Sequence, residues 1–136
     1  MSPPSESAVY QLCLQHQFVA RHFLVGGDWG AENQPHAHAY RAEVLLEGDQ
    51  LDSHGFLVDL VELESRVDRV LQRYREATLN DLPEFAGLNP SLEHFARLFA
   101  AGLCQDWPSS GLRALTVRLW ENDAAWASFR QDLPCA

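Results

Sequence analysis

The sequence predicts an α+β domain with the element order β-β-α-α-β-β. Apolar and polar residues alternate in two long segments near the N-terminus, and alternation returns near the C-terminus. Between them, apolar residues recur every three or four positions in two further segments. Alternation is typical of half-buried strands, whereas the longer period is typical of amphipathic helices. The length, 136 residues, suits one compact domain.

The first two strands are predicted at Ala8–His22 and Pro35–Gly48. Even-numbered positions form the more apolar face of each strand, and this face of the second strand also carries His36 and His38. The glycine-rich segment Gly26–Gly30 predicts a loop between the strands.

Two amphipathic helices are predicted after these strands. The first extends from Asp59, which is positioned to cap it, to about Tyr74. The second follows a loop. Asn89 and Pro90 predict its start, as N-cap and first-turn proline, and its apolar stripe reaches Leu103.

The C-terminal segment predicts two more strands. Pro108–Gly111 breaks the second helix, Leu115–Leu119 alternates as a third strand, and Ala124–Phe129 predicts a fourth. Residues 1–7 are polar and contain prolines, so they predict a short disordered tail rather than a signal peptide. Residues 8–136 are therefore expected to form a single domain.

Charge and cysteine content limit the expected partners and compartment. Nineteen acidic and ten basic residues give a net charge of −9, and all ten basic residues are arginines. Nucleic acids and anionic membranes require a cationic face, so neither is an expected partner. No apolar run reaches the roughly 18 residues of a transmembrane helix. Three scattered cysteines, Cys13, Cys104 and Cys135, predict reduced thiols in a cytoplasmic protein.

Three histidines form the strongest local signal. His36 and His38 are two residues apart on a predicted strand, so their side chains share a face. His22 ends the neighbouring strand, and hairpin pairing would bring it beside them. Three imidazoles with one open position match the pattern of a catalytic zinc site. The alternative is a surface or hydrogen-bonded histidine pair.

Two glutamates are further candidates for chemistry. Glu121 shares a face with the apolar residues of the third strand, where a carboxylate must be paired, protonated or bound to a ligand. Alternatively, it emerges into solvent at the strand end. Glu32 lies four residues before His36, as a general base near the metal or as a solvated loop residue. His94 lacks such spacing and is interpreted by default as structural or surface.

Together, these features resemble the 6-pyruvoyl-tetrahydropterin synthase / 6-carboxytetrahydropterin synthase family. Six short motifs occur in the family's order: Phe18–His22, His36–Tyr40, Gly55–Asp59, Leu79–Asn80, Pro90–His94 and Trp120–Asn122. The resemblance implies the tunnelling fold (T-fold), a four-stranded antiparallel sheet with two helices on one face. It also implies assembly of copies into a barrel, as a homotrimer or homohexamer.

The resemblance also implies a function. Zn²⁺ would be held by His22, His36 and His38, and Glu121 and Ser91 would bind a pterin, usually dihydroneopterin triphosphate. The reaction would be a lyase step that breaks a carbon–oxygen or carbon–carbon bond. The product would enter tetrahydrobiopterin, queuosine or folate biosynthesis.

The proton-transfer residues depart from the family pattern. Glu32 stands where most members have a cysteine, as in a subgroup that cleaves the side chain and releases 6-hydroxymethyl-dihydropterin. Arg75 and Glu76 replace the family's Asp-His relay, and His94 is a candidate substitute. Two interpretations follow: a zinc enzyme with Glu32 as base, or a pterin- or purine-binding homologue that keeps zinc but has lost lyase activity.

Overall fold

The structure is a computed structural model that describes residues 9–107 and 111–135. Within them, the chain forms six main elements: β1 (Tyr10–His22), β2 (His36–Gly48), α1 (Leu60–Tyr74), α2 (Leu92–Cys104), β3 (Leu112–Asn122) and β4 (Ala125–Asp132). The predicted β-β-α-α-β-β order is confirmed. The predicted tail at residues 1–7 and positions 108–110 of the predicted break lie outside the described residues.

The four strands form one antiparallel sheet in the order β1-β2-β3-β4. β1 and β2 pair without a register shift, from Tyr10 opposite Gly48 to His22 opposite His36. Because the side-chain period of a strand is two, even-numbered residues of both strands lie on one face. That face is buried under the helices, and burial in β1 increases towards His22.

Both helices pack on this face through the apolar stripes that their spacing predicts. Their buried residues are Leu63, Val67, Val70, Leu71 and Tyr74 in α1, and Phe95, Ala96, Phe99, Ala100 and Leu103 in α2. The Phe95 ring centroid lies 5.3 Å from that of Tyr40 and 5.0 Å from that of Tyr74, so aromatic contacts join the sheet to both helices. No helix in the described ranges is long and apolar enough to cross a membrane.

The structure confirms one predicted helix cap and corrects the other. The Asp59 side chain accepts a hydrogen bond from the backbone of Val61 and caps α1, as expected. The cap of α2 is Ser91, whose hydroxyl accepts from the backbone N–H of His94. The prediction that Asn89 caps this helix is wrong, because the Asn89 amide is bonded to the backbone of Val25.

A disulfide joins Cys104 to Cys135 and links the end of α2 to the segment after β4. The expectation of three reduced cysteines is therefore wrong for this pair, while Cys13 is free and exposed. The two cysteines are separated by 31 residues, and β4 returns along β3 to bring their Cα atoms to 5.9 Å. The cysteine content is thus no argument for a reducing compartment.

The Glu84 carboxylate should stabilise the fold at pH values above its ordinary pKa. Hydrogen bonds from Arg73 at 2.6 Å and Tyr74 at 3.0 Å lower the pKa of the Glu84 carboxyl from 4.5 to about 2. This stabilisation is complete above pH 4.5 and disappears as the pH falls through about 2. We expect Glu84→Gln to lower the free energy of unfolding by about 1–2 kcal/mol at pH 7, allowing for the half-exposed Arg73.

At pH 3, less than half of that loss should remain, because most of the wild-type carboxylate's advantage is gone. Urea denaturation of the wild-type protein and of Glu84→Gln at the two pH values measures this loss in the free energy of unfolding. An equal loss at pH 3 and pH 7 would show that the carboxylate charge is not the source of the stabilisation.

Candidate metal centre

Three histidines converge at one end of the sheet, as the strand alternation predicts. His22 ends β1, His36 begins β2 directly opposite, and His38 follows two residues later on the same face. Their ring centroids lie 4.6, 4.8 and 4.9 Å apart. One ligand nitrogen from each ring lies within 4.8 Å of the others, and the group can hold a metal ion. The Nε2 atoms of all three rings are buried and make no hydrogen bond, although carboxylate oxygens lie 3.0–3.7 Å from them.

Backbone carbonyls determine which nitrogens face this point. His22 Nδ1 lies 3.0 Å from the carbonyl oxygen of Pro90, and His36 Nδ1 lies 2.8 Å from that of Gln34. A carbonyl can only accept a hydrogen bond, so Nδ1 is the donor in both rings, and in the neutral imidazole Nε2 then presents a lone pair. The structure therefore supplies the tautomer that a metal requires.

The electrostatics of His22 favour the same state. Burial is the largest influence and lowers the pKa of His22, and its neighbours His36 and His38 lower it further. The hydrogen bond to the Pro90 carbonyl opposes this shift without reversing it. The buried hydroxyl of Tyr40 lies 3.2 Å from His22 Nδ1, and the two ring centroids are 6.3 Å apart. A neutral imidazole is the form that binds metals.

Two carboxylates approach the histidines from different sides. Glu32, in a short turn before β2, has Oε2 at 3.7 Å from His36 Nε2. Glu121, near the end of β3, has Oε1 at 3.0 Å from His38 Nε2 and 3.6 Å from His22 Nε2. The register with β4 shifts between Trp120 and Asn122, so Glu121 lies at a strand irregularity. Such bulges redirect side chains next to functional sites.

The donor set fits a divalent ion of intermediate softness. Three neutral nitrogens suit Zn²⁺ and its neighbours in the first transition row, and a catalytic site leaves a further position for water or substrate. Three buried Nε2 atoms without a hydrogen bond are an expensive arrangement in the absence of such an ion. The adjacent carboxylates provide negative charge beside it.

Comparison with known proteins identifies the family of the chain. The model of the family described as 6-pyruvoyl tetrahydropterin synthase matches residues 11–132. The chain belongs to this family. A relative, the 6-carboxy-5,6,7,8-tetrahydropterin synthase of Bacillus subtilis, is 34% identical over 77 residues, 57% of this chain. The match covers 51% of that protein, so the chain spans about half the length of the curated relative.

Solved structures of the synthase family share the fold. The 6-pyruvoyl tetrahydropterin synthase of Caenorhabditis elegans superimposes with a TM-score of 0.80 at 21% identity, covering 92% of this chain and 97% of that one. A Plasmodium vivax synthase superimposes with a TM-score of 0.76 at 14% identity, covering 93% and 100% of the two chains. The latter is described as a catalytic residue mutant in which glutamate is replaced by cysteine.

Two residues expected at a synthase site lie on α2 without reaching the histidines. The Ser91 hydroxyl caps the helix, and His94 Nδ1 lies 3.2 Å from an Arg97 nitrogen. In the described part of the chain, neither side chain has a hydrogen bond, ion pair or ring contact with the three metal-site histidines. α2 contributes instead through the carbonyl of Pro90, just before the helix.

The replaced relay positions face the opposite side of the sheet. Glu76 forms an ion pair of 3.5 Å with Arg21, which lies on the outer face of β1. The backbone of Glu76 donates to the carbonyl of Val19 and adopts a positive φ of 60°. Glu76 is therefore engaged in holding the turn after α1 against β1. Arg75 is exposed at this turn.

A second group of potential ligands lies away from this centre. His16, Glu64 and Asp68 also have donor atoms within 4.8 Å of one another. His16 Nε2 is already paired with Glu64 at 2.8 Å, which accounts for this contact without a metal.

Three asparagines hold the segment that follows His22, a role that the sequence analysis did not predict. The Asn80 amide both accepts from the N–H of Phe23 and donates to its carbonyl, each at 2.9 Å. Asn89 bonds in the same way to Val25, at 2.7 and 3.0 Å. Asn33 donates to the carbonyls of Leu24 and Gly27. These side-chain amides bond to the backbone groups that follow β1, where no neighbouring strand does so. They thereby hold the loop that carries Glu32.

The metal centre predicts a sharp dependence on His36. Loss of hydrogen-bond partners behind a ligand weakens metal affinity by about 10- to 100-fold, so loss of the ligand itself should weaken it by at least about 100-fold. We therefore expect His36→Ala to lose stoichiometric divalent metal, measured by elemental analysis and competition with a chelator. His54→Ala, at an exposed histidine outside the centre, is the matched control. Full metal occupancy in His36→Ala would refute the three-histidine site.

The contacts of Asn80 predict that removing its N–H donor destabilises the fold. Asn80→Asp keeps an acceptor for the N–H of Phe23 but sets a carboxylate against its carbonyl. We expect a loss of about 1–3 kcal/mol in the free energy of unfolding, measured by urea denaturation at pH 7. Asn122→Asp is the matched control, because the Asn122 side chain only accepts, from the backbones of Ala124 and Ala125. Equal effects of the two substitutions would contradict the role of the Asn80 donor.

Proposed function

We propose that the protein is a zinc-dependent lyase acting on a dihydropterin, dihydroneopterin triphosphate or a close relative. In this proposal Glu32 is the general base, and the reaction cleaves the side chain to release 6-hydroxymethyl-dihydropterin. The observation that carries the proposal is the approach of Glu32 Oε2 to within 3.7 Å of His36 Nε2 at the three-histidine centre. The pterin substrate is proposed because the chain belongs to the synthase family.

His22, His36 and His38 would hold the zinc through their Nε2 atoms. When bound, zinc acts as a Lewis acid towards hydroxyl groups of the substrate side chain and favours their ionisation. The carbonyls of Pro90 and Gln34 keep two of the rings in the required tautomer. This arrangement leaves Glu32 at the rim, on the His36 side, free to accept a proton.

Glu32 would take the proton of the hydroxyl on the second side-chain carbon. The bond between the first and second carbons then breaks, the second carbon becomes an aldehyde, and the electron pair moves into the conjugated dihydropterin ring. Protonation of the first carbon completes 6-hydroxymethyl-dihydropterin, and the proton held by Glu32 balances this step. The description of a Plasmodium vivax relative as a mutant of a catalytic glutamate supports a glutamate in this role.

Glu121 would bind the pterin ring. Its carboxylate can accept hydrogen bonds from the ring N–H and amino groups in a planar, bidentate arrangement. It approaches His22 and His38 from β3, whereas Glu32 approaches His36, and its side chain is only 24% exposed. One substrate molecule would then contact Glu121 through its ring and Glu32 through its side chain. Ser91 is a further expected pterin contact at the start of α2.

A second candidate is a pterin- or purine-binding homologue that keeps zinc but lacks lyase activity. The pairing of Glu76 with Arg21 favours it, because the family's proton relay is absent at this position in its usual form. His94, the candidate substitute, is engaged with Arg97. The two functions differ in whether zinc-loaded protein converts a pterin that it binds.

Assembly and compartment are also part of this proposal. Within the described residues, β4 has a strand partner on one side only, and the outer edge of β1 is covered only near Val19 and Arg21 by the segment after α1. The rest of both edges is open to another chain. We propose a homotrimer or homohexamer in which copies continue the sheet as a barrel. A cytoplasmic location and a role in tetrahydrobiopterin, queuosine or folate biosynthesis are proposed from the family's pterin chemistry alone.

The Glu32 assignment predicts separable effects on binding and catalysis. In Glu32→Gln, zinc content and pterin affinity should stay within about twofold, while kcat falls by about 100-fold or more, the usual contribution of a general base. Zinc-loaded protein is incubated with dihydroneopterin and its triphosphate, and products are separated by fluorescence chromatography. Asp28→Asn, in the same loop, is the control, because its oxygen still accepts from Gly30.

Undiminished turnover in Glu32→Gln would refute this residue as base. Tight pterin binding by the wild-type protein without any conversion would favour the second candidate. Failure of the zinc-loaded wild-type protein to bind any pterin would overturn the lyase function, and failure to bind any purine as well would overturn both functions.

A further inference from the structure

We propose that Asn33 is a positioning residue for Glu32, and that the packing of Trp29 on Gly27 supports the same turn. This inference rests on the proposed lyase function, in which Glu32 is the general base. It concerns the Glu32 loop, residues 23–35, which joins β1 to β2. A base acts only within hydrogen-bond reach of the proton it takes, so the rate depends on where this loop holds its carboxylate.

The Asn33 side chain uses its whole amide to close the loop on itself. Its Nδ2 donates to the carbonyls of Leu24 and Gly27, each at 3.0 Å. Its Oδ1 accepts from the N–H of Trp29 at 2.7 Å. Both amide hydrogens and the amide oxygen are therefore engaged with loop backbone. The residue next to Glu32 thus joins three separate points of the loop.

The main chain of Glu32 is bonded on both sides. Its N–H donates to the carbonyl of Trp29 at 3.2 Å, within the short turn Gly30–Asn33, and its carbonyl accepts from the N–H of Leu24 at 2.9 Å. The Glu32 side chain is 54% exposed, so packing around the carboxylate does little to place it. Its approach to His36 Nε2, at 3.7 Å, therefore depends on the main chain that Asn33 holds.

The same turn also orients a metal ligand. The N–H of Gln34 donates to the carbonyl of Ala31 at 3.0 Å, and the carbonyl of Gln34 accepts from His36 Nδ1 at 2.8 Å. Asn33 lies between Glu32 and Gln34 in the chain. The base and the tautomer of His36 are thus set by neighbouring residues of one turn.

Trp29 packs its indole ring against the backbone of Gly27. A Cβ atom at position 27 would lie 2.7–3.1 Å from three carbon atoms of this ring. The φ of Gly27 is not in the left-handed region that favours glycine, so the close approach of the ring is what requires glycine here. Gly27 and Trp29 both bond to Asn33, so ring packing and amide bonds hold the same segment.

Asn33 differs from the other two asparagines that hold the segment after His22. Asn80 bonds only to the backbone of Phe23, and Asn89 only to that of Val25. Both therefore hold the beginning of the loop from outside it. Asn33 lies inside the loop and ties the turn that carries the base, so its loss should release Glu32 selectively.

The first test separates the position of the base from folding and binding in Asn33→Ala. We expect zinc content and pterin Kd to stay within about twofold of wild type, while kcat falls by at least about tenfold, because a displacement of about 1 Å is costly in rate. Hydrogen exchange of the backbone amides in residues 23–35 should become faster, with little change elsewhere.

Two further variants provide the comparison. Gly27→Ala should also lower kcat, by at least about threefold, because the indole of Trp29 must move off the added methyl group. Asp52→Ala is the matched control, since the Asp52 side chain also accepts two backbone hydrogen bonds, in the loop after β2. That loop lies at the opposite end of the β1–β2 pair from the histidines, so kcat should change by less than about twofold.

A Glu32→Gln background distinguishes positioning of the base from any other role. If Asn33 acts through Glu32, Asn33→Ala should lower the residual kcat of Glu32→Gln by less than about twofold. An equal loss in both backgrounds, or wild-type kcat in Asn33→Ala, would overturn the inference and leave the proposed function intact. Loss of zinc or of the folded state in Asn33→Ala would also overturn it, by showing a structural role. If the zinc-loaded wild-type protein converts no pterin, the proposed lyase function fails and this inference fails with it.

Discussion

The register between β1 and β2 is the constraint on which the site depends. It sets His22 opposite His36 and brings His38 onto the same face. A slip of one residue would turn the histidines of one strand to the outer face and expose its apolar residues. Burial of that apolar face beneath both helices therefore selects the register that assembles the metal ligands. The pairing of β1 with β2 therefore both buries the apolar face and positions the metal ligands.

The ends of the strands are held by contacts that couple the site to the helical layer. The Pro90 carbonyl, just before α2, orients His22, and Tyr40 joins this ring to the aromatic core. Asn80 and Asn89 satisfy the backbone after His22, where β1 has no further strand partner. Displacement of α2 would therefore disturb the metal ligands, so the site is built on rigid elements and not on a free loop.

Alternation and helical spacing were sufficient to predict the order of elements and the face shared by the histidines. The same patterns could not predict contacts between residues distant in the chain. Cys104 and Cys135 meet only because β4 returns along β3. Asn89 matched a capping pattern, but the backbone of Val25 competes for its amide, and Ser91 caps the helix. Side chains that bind distant backbone leave no periodic signal.

The central claim is that three imidazole nitrogens form a metal centre at the end of this sheet. X-ray absorption at the zinc edge of the zinc-loaded protein tests it most directly. The account predicts three nitrogen ligands at about 2.0–2.1 Å, with the outer-shell scattering of imidazole rings. A zinc environment of oxygen atoms alone, or one containing sulfur, would contradict it.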